Sequence, residues 1–215
     1  MTDSYRHKGL RRQMIADLRQ KGIRDEKVLA AMEAIPRHFF LEKAFEEWAY
    51  ADKPFPIGEG QTISQPYTVA YQTQLLDVQK REKILEIGTG SGYQAAILAA
   101  LGARVYTIER VEKLYKRTEA LLKKLQPGNV RCYFRDGNKG LPEFAPFDKI
   151  LVTAGAAAVP PALLEQLKPG GILVIPVGEP LQEMLRIRRM DESNYQTERL
   201  DRFQFVPFLE GTKDL

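Results

Sequence analysis

Glu86-Ile87-Gly88-Thr89-Gly90-Ser91-Gly92-Tyr93 is the segment of this chain best suited to chemistry. Glycines at alternate positions let the main chain approach a ligand closely, and a helix opening just after them points its free N–H groups at the same place. The spacing departs from the dinucleotide fingerprint G-x-G-x-x-G, because Tyr93 stands where the third glycine belongs. The cradle for a diphosphate is thus incomplete. The amino-acid end of S-adenosylmethionine has no diphosphate and suits such a loop, which follows a strand-terminal acid, Glu86. Two further acids fall in register. Glu109 lies roughly 20 positions after Gly88, at the end of the next strand-like run, where a carboxylate can accept from both hydroxyls of a ribose. Asp136-Gly137 directly follows the third such run and can reach a base lying across the strand ends. Taken singly, Glu109 reads equally as an exposed acid paired with Arg110 or Lys113, and Asp136-Gly137 as an ordinary turn. In register with three successive strands, they point to S-adenosylmethionine, with NAD bound poorly.

Methyl transfer from a sulfonium is an in-line displacement, so the protein must mainly orient the partners and exclude water. The residues available narrow the acceptor. Cys132, mid-strand between Arg131 and Tyr133, reads as a core thiol rather than a nucleophile for a base carbon. Thr153-Ala154-Gly155-Ala156 stands where an exocyclic amine would favour an Asn/Asp-Pro-Pro-aromatic turn. His7 and His38, the chain's two histidines, lack the spacing of a metal site, and no metal is expected. A carboxylate acceptor is already ionised at pH 7 and needs no general base. It needs donors, and Thr62 and Ser64 could supply hydroxyls; Ser64 could equally cap the helix that follows it.

These positions require strands ending at one edge of a sheet. Lys83–Ile87, Val105–Ile108, Val130–Phe134 and Lys149–Val152 read as short apolar strands. They alternate with helices over Tyr93–Leu101, over the Val111–Leu125 amphipathic stretch and over Pro161–Leu167. Gly170-Gly171 then turns into Ile172–Val177, and Met184–Arg188 with Thr197–Val206 forms an antiparallel hairpin at the sheet edge. The expected fold is α/β and Rossmann-like, a mainly parallel sheet covered on both faces. Upstream, two helices fall within residues 10–35, with apolar stripes Met14, Ile15, Leu18 and Val28, Leu29, Met32, the second capped by Asp25. Phe39–Pro66 loses periodicity but holds Phe39, Phe40, Phe45, Trp48, Tyr50 and Phe55, which argues for an ordered, functional loop packed through its aromatics. A helix is expected over Val69–Leu76. Residues 1–78 therefore form an N-terminal extension carrying the active-site loop, packed on a core of residues 79–215.

Composition excludes several classes. With 44% hydrophobic and 28% charged residues in 215 positions, disordered, collagenous and disulfide-scaffold proteins are ruled out. The 32 basic and 28 acidic residues are interspersed rather than gathered into a nucleic-acid stripe. No apolar run approaches the ~18 residues of a membrane span, and the first residues lack a signal-peptide apolar region. One cysteine forbids an internal disulfide, so a cytoplasmic location is expected, and with nothing suggesting an obligate partner a monomer is the default.

Several stretches carry a resemblance: Asp25–Met32 followed by Ile35-Pro36-Arg37, Tyr50-Ala51-Asp52, Ile84–Tyr93, Phe147–Ala156, Leu167–Gly171 and, most specifically, Gly60-Gln61-Thr62-Ile63-Ser64-Gln65-Pro66-Tyr67. Over nearly its whole length the chain resembles the protein-L-isoaspartate (D-aspartate) O-methyltransferase family. The resemblance implies methylation of the α-carboxyl of L-isoaspartyl residues, and more weakly D-aspartyl ones, in damaged proteins, the ester closing to a succinimide that partly reopens to aspartate. It makes Ser64 the active-site serine and sets Gln61, Thr62 and Ile63 against the cofactor. Gly88 and Gly90 would line the methionine part, Glu109 the ribose, and Asp136 with Gly137 the adenine, with Glu86 and Arg110 completing the set. Val206-Pro207-Phe208 would wall the peptide site. The tail Leu209–Lys213 and Arg37-His38-Phe39-Phe40 depart from the family's usual pattern.

Overall fold

The computed structural model describes residues 2–214. Helix α1 (Tyr5–Gln20) opens on a reciprocal cap: the Ser4 hydroxyl accepts the His7 N–H, and His7 Nδ1 accepts the Ser4 N–H. Helix α2 (Glu26–Ala34) is capped by Asp25, whose carboxylate accepts from Lys27 and Val28 N–H. Both apolar stripes are buried, and they join one cluster with Val69, Tyr93, Ile97 and Leu114. The N-terminal helices thus share a core with the helices of the sheet.

The aperiodic stretch is ordered. Two 3-10 turns, Arg37–Phe40 and Lys43–Trp48, lead to a hairpin of β1 (Phe55–Gly58) and β2 (Gln61–Ile63), then to α3 (Pro66–Leu76). Phe40 meets Tyr93 edge-on and Phe45 meets Phe55, as packed aromatics should, but Trp48 remains 55% exposed. Arg37 is wholly buried, its Nε donating to Ala49 O at 2.8 Å. Helix α3 starts earlier than periodicity implied because Pro66, with no N–H to lose, occupies its first turn.

The main sheet holds β3 (Lys83–Ile87), β4 (Arg104–Glu109), β5 (Val130–Phe134), β6 (Phe147–Val152), β7 (Leu167–Val177), β8 (Gln182–Arg189) and β9 (Tyr195–Phe203). Their order is β5-β4-β3-β6-β7-β8-β9, parallel from β5 to β7 and antiparallel over the last two pairings. Helices α4 (Tyr93–Ala100) and α5 (Glu112–Leu125) cover one face, with Ile84 and Val105 against Leu98. On the other face Leu85 and Ile150 pack with Leu163 of α6 (Pro161–Glu165). Strand β7 runs from Leu167, pairing with Phe147 before a register shift, so α6 ends sooner than expected. Strand β9 stops at Phe203, which frees Gln204–Val206 from the expected hairpin to fold back over the strand ends. Among the described residues no helix is long and apolar enough to cross a membrane.

Chain order reverses at β3: its successor β4 lies on one side, and β6 on the other. In open α/β sheets the crevice at such a switch, beyond the carboxyl ends of the strands, receives the ligand.

Candidate active site

Ile87 stands opposite Ile108 on one side and Val152 on the other, so three strands end level. The glycine loop springs from the middle one. Gly88 and Thr89 both donate main-chain N–H to Ile108 O, at 2.9 and 3.0 Å. Two glycines here are obligatory. Gly88 has φ 97°, and a Cβ on it would stand 2.5 Å from Thr153 Oγ1; Gly92 has φ 85°, and a Cβ there would meet Thr118 Cγ2 at 2.7 Å. Thr118 also donates its hydroxyl to Gly90 O at 2.6 Å. Strand β4, helix α5 and the turn after β6 therefore all brace the loop.

Glu109 closes β4 with Oε2 accepting Gly90 N–H and Oε1 accepting Val111 N–H, both at 2.9 Å. Burial pushes its carboxyl upward, opposed by those main-chain donors. Each oxygen retains a lone pair for a further donor such as a ribose hydroxyl.

A cavity opens above these strands. Gln61, Thr62, Ile63 and Ser64 form one wall, Gly88, Gly90, Glu109, Arg110 and Gly137 the floor and far side, and Val206, Pro207 and Phe208 the roof. A second, smaller cavity adjoins it, lined by Pro54, Gln65, Gln204 and Phe205 among others. Both share Thr62, Ser64, Thr153 and Val206. No hydrogen bond within the described residues engages the hydroxyl of Ser64, and α3 begins at Pro66 with no side-chain cap from its own N-cap residue. Ser64 is thus free to face a ligand.

Two predicted positions are not in the cavity wall. Glu86 is fully buried beneath the loop, opposite Thr107, with neither oxygen hydrogen-bonded and its carboxyl pushed up to about 8 by burial. Alternation along β3 sets Glu86 on the same face as Ile84, which packs against α4. Asp136 turns back to accept the Asn138 N–H at 3.0 Å, shaping the turn that presents Gly137. Conversely, Gln94, Thr153 and Leu209 line the cavity without having been expected as site residues. Thr153 carried a readable signal, the strand-end position beside the loop; Leu209 did not, since only the tail's path brings it there.

His7 and His38, far apart in sequence, stack with ring centroids 3.9 Å apart, and one ligand atom from each lies within 4.8 Å of an Asp3 oxygen. Their bonds speak for a fastening network rather than a metal centre. The Ser4 N–H donated to His7 Nδ1 puts the His7 proton on Nε2, which faces Glu46 at 3.3 Å, and Arg11 grips Asp3 with two bonds. Cys132 is protonated, its thiol pushed up to about 12 by burial.

Residues 9–213 match the family model described as Protein-L-isoaspartate(D-aspartate) O-methyltransferase (PCMT). The chain belongs to this family. A protein-L-isoaspartate O-methyltransferase of Flavobacterium johnsoniae is 56% identical over 98% of this chain and 99% of the relative; one of Cytophaga hutchinsonii is 53% identical over 97% and 95%. A Plasmodium falciparum structure, described as a protein-L-isoaspartate O-methyltransferase in complex with S-adenosyl-L-homocysteine, superposes with a TM-score of 0.81 at 26% identity, over 94% of this chain and 98% of that one.

In this member of the isoaspartate methyltransferase family the roof is tied down at several points. Gly155 N–H donates to Val206 O and Phe208 N–H to Gly155 O, both at 2.8 Å. Further along, Arg110 Nε donates to Gly211 O, and Lys213 exchanges main-chain bonds with Arg110 and Glu112. Glu59, at the tip of the β1–β2 hairpin, pairs with Lys113 of α5 and Lys213 of the tail at 2.9 and 3.2 Å. Hairpin and tail are thereby clasped together over the strand ends.

Proposed function

We propose that this chain is a protein repair enzyme that methylates the α-carboxyl of L-isoaspartyl residues, and more weakly D-aspartyl ones, in damaged proteins and peptides. The methyl ester then closes to a succinimide, which partly reopens to normal aspartate. The observation that carries this reading is the junction of the larger cavity with a smaller one at an unpartnered hydroxyl, Ser64. Among the residues lining the smaller cavity none is charged, so a carboxylate there meets neutral donors only.

Bound in the larger cavity, S-adenosylmethionine supplies an electrophilic methyl on its sulfonium. Gly88 and Gly90 give it a close main-chain surface, Glu109 takes the ribose hydroxyls, and Gly137 under Phe208 takes the base, while Gln61, Thr62 and Ile63 close over it. Glu86 and Asp136 support that surface from behind, and Arg110 anchors the roof. Ser64 donates a hydrogen bond to one oxygen of the acceptor carboxylate and turns the other toward the methyl. Thr62, Val206, Pro207 and Phe208 wall the peptide. No proton need be removed, since the acceptor is ionised at pH 7. An acyl-enzyme has no place here, as no histidine stands by Ser64 to activate it.

We read residues 1–78 and 79–215 as an extension and a core of one unit, active as a monomer in the cytoplasm, with no nucleic-acid partner; the shared apolar cluster and the single cysteine support this. Methyl incorporation into paired isoaspartyl and aspartyl peptides tests the function. Labelling of the isoaspartyl peptide is expected; equal labelling of both would refute it.

A further inference from the structure

Thr62, Ser64, Thr153 and Val206 line both cavities, so a group passing from one to the other crosses between them. Three of the four carry hydroxyls. Those of Thr62 and Ser64 are free of bonds within the described residues, but Thr153 is engaged. Its Oγ1 lies 2.9 Å from Ile87 O and 2.8 Å from Gly88 O, and its N–H donates to Ile87 O at 3.0 Å. One hydroxyl holds one proton and can serve only one of those carbonyls at a time. The packing is equally close, since a Cβ on Gly88 would stand 2.5 Å from the same oxygen. Thr153 therefore touches the first glycine of the donor loop through Oγ1 and borders the acceptor cavity beside Ser64.

Building on the methyl-transfer reading above, we infer that Thr153 is a positioning residue for that reaction. Its hydroxyl fixes the spacing between the glycine loop, which holds the donor, and the end of β6, which borders the acceptor. In-line displacement depends steeply on this spacing, a misplacement of ~1 Å costing about 100-fold. Valine has the same shape but sets a methyl where Oγ1 stood, 2.8 Å from Gly88 O. Carbon and oxygen keep at least ~3.3 Å apart, so the loop must retreat by roughly half an ångström. Serine keeps the bond.

The test compares Thr153→Val with Thr153→Ser in steady-state kinetics on an isoaspartyl peptide, beside calorimetry with S-adenosylhomocysteine and thermal melts. Thr153→Val is expected to lower kcat about tenfold or more, by a larger factor than it weakens S-adenosylhomocysteine, while Thr153→Ser stays within about threefold of the parent. A structural role alone would lower the melting temperature and leave kcat per folded molecule untouched, which overturns the inference. So would a serine variant as impaired as the valine one. A parent chain inert on isoaspartyl peptide takes down the functional reading and this one together; an active parent with an unimpaired Thr153→Val takes down this one alone.

Discussion

The Asp52 carboxylate accepts the main-chain N–H of Tyr67, 15 positions downstream, at 2.7 Å. That bond satisfies the opening turn of α3, the task Ser64 could have performed. The second oxygen of Asp52 pairs with Lys21 beyond the end of α1, so the start of α3 is tied to the N-terminal helices through one side chain. Ser64 is left with its hydroxyl free because a different residue does the capping.

Asp52→Ala is accordingly expected to lower unfolding free energy by about 1 kcal/mol, as loss of a helix cap does. It should also reduce kcat, because the segment bearing Ser64 loses its fixed end. Urea titration and peptide kinetics on the same preparation check this; a stability loss with unaltered kcat would uncouple α3 from the site.

Ser64→Ala removes a donor to the acceptor carboxylate while leaving the rest of the cofactor's wall in place. Turnover should fall by roughly 10- to 100-fold, somewhat less than a donor to a developing oxyanion is worth. Calorimetric affinity for S-adenosylhomocysteine should move by less than about threefold. Unchanged turnover removes the assignment.

Glu109→Ala strips an acceptor from Gly90 N–H and Val111 N–H and takes away the expected ribose contact. Affinity for S-adenosylhomocysteine should drop by more than about tenfold, and stability by about 1–3 kcal/mol for the two donors left unsatisfied. Retained affinity would place the ribose elsewhere.

Glu86 sets a pH dependence with a definite sign. Its carboxyl, ordinarily at 4.5, is raised by burial to about 8 in the fold. Below 4.5 both folded and unfolded chains hold the proton. As pH rises from there to about 8, the unfolded chain gives it up while the folded chain keeps it, so stability falls across that window and then levels off. Glu86→Gln lacks this slope. The variant should gain on the parent steadily between pH 5 and pH 8, by a few kcal/mol at most. Urea midpoints at pH 5, 6.5 and 8 read it out, and a constant gap would show that Glu86 is ionised throughout.

Much of this was legible beforehand, for reasons that can be named. Ile84, Leu85 and Ile87, like Ile150–Val152, are apolar positions buried on both faces, and such stretches announce central parallel strands. Gly88 and Gly92 sit where any other residue would collide, so their spacing carried information. Glu86 reads from sequence like a ligand-facing acid, but strand alternation sends it under the loop; one residue's difference in facing is invisible to spacing. The His7–His38 stack and the Asp52–Tyr67 bond each join a helix to a residue of the aperiodic stretch, and no spacing in the sequence reveals such a pairing. The boundary of β9 depended on where Gln204–Val206 could find partners, and Gly155 outside the sheet supplied one.

The clasp at Glu59 has a bearing on traffic through the enzyme. Gln61 and Thr62 of the hairpin and Pro207 to Leu209 of the tail all line the larger cavity, and any parting of hairpin from tail separates Glu59 from a lysine whose side chain is half open to water. Such a pair weakens as ionic strength rises. Exchange of the small molecule should therefore quicken with added salt even where the chemical step itself is indifferent to it.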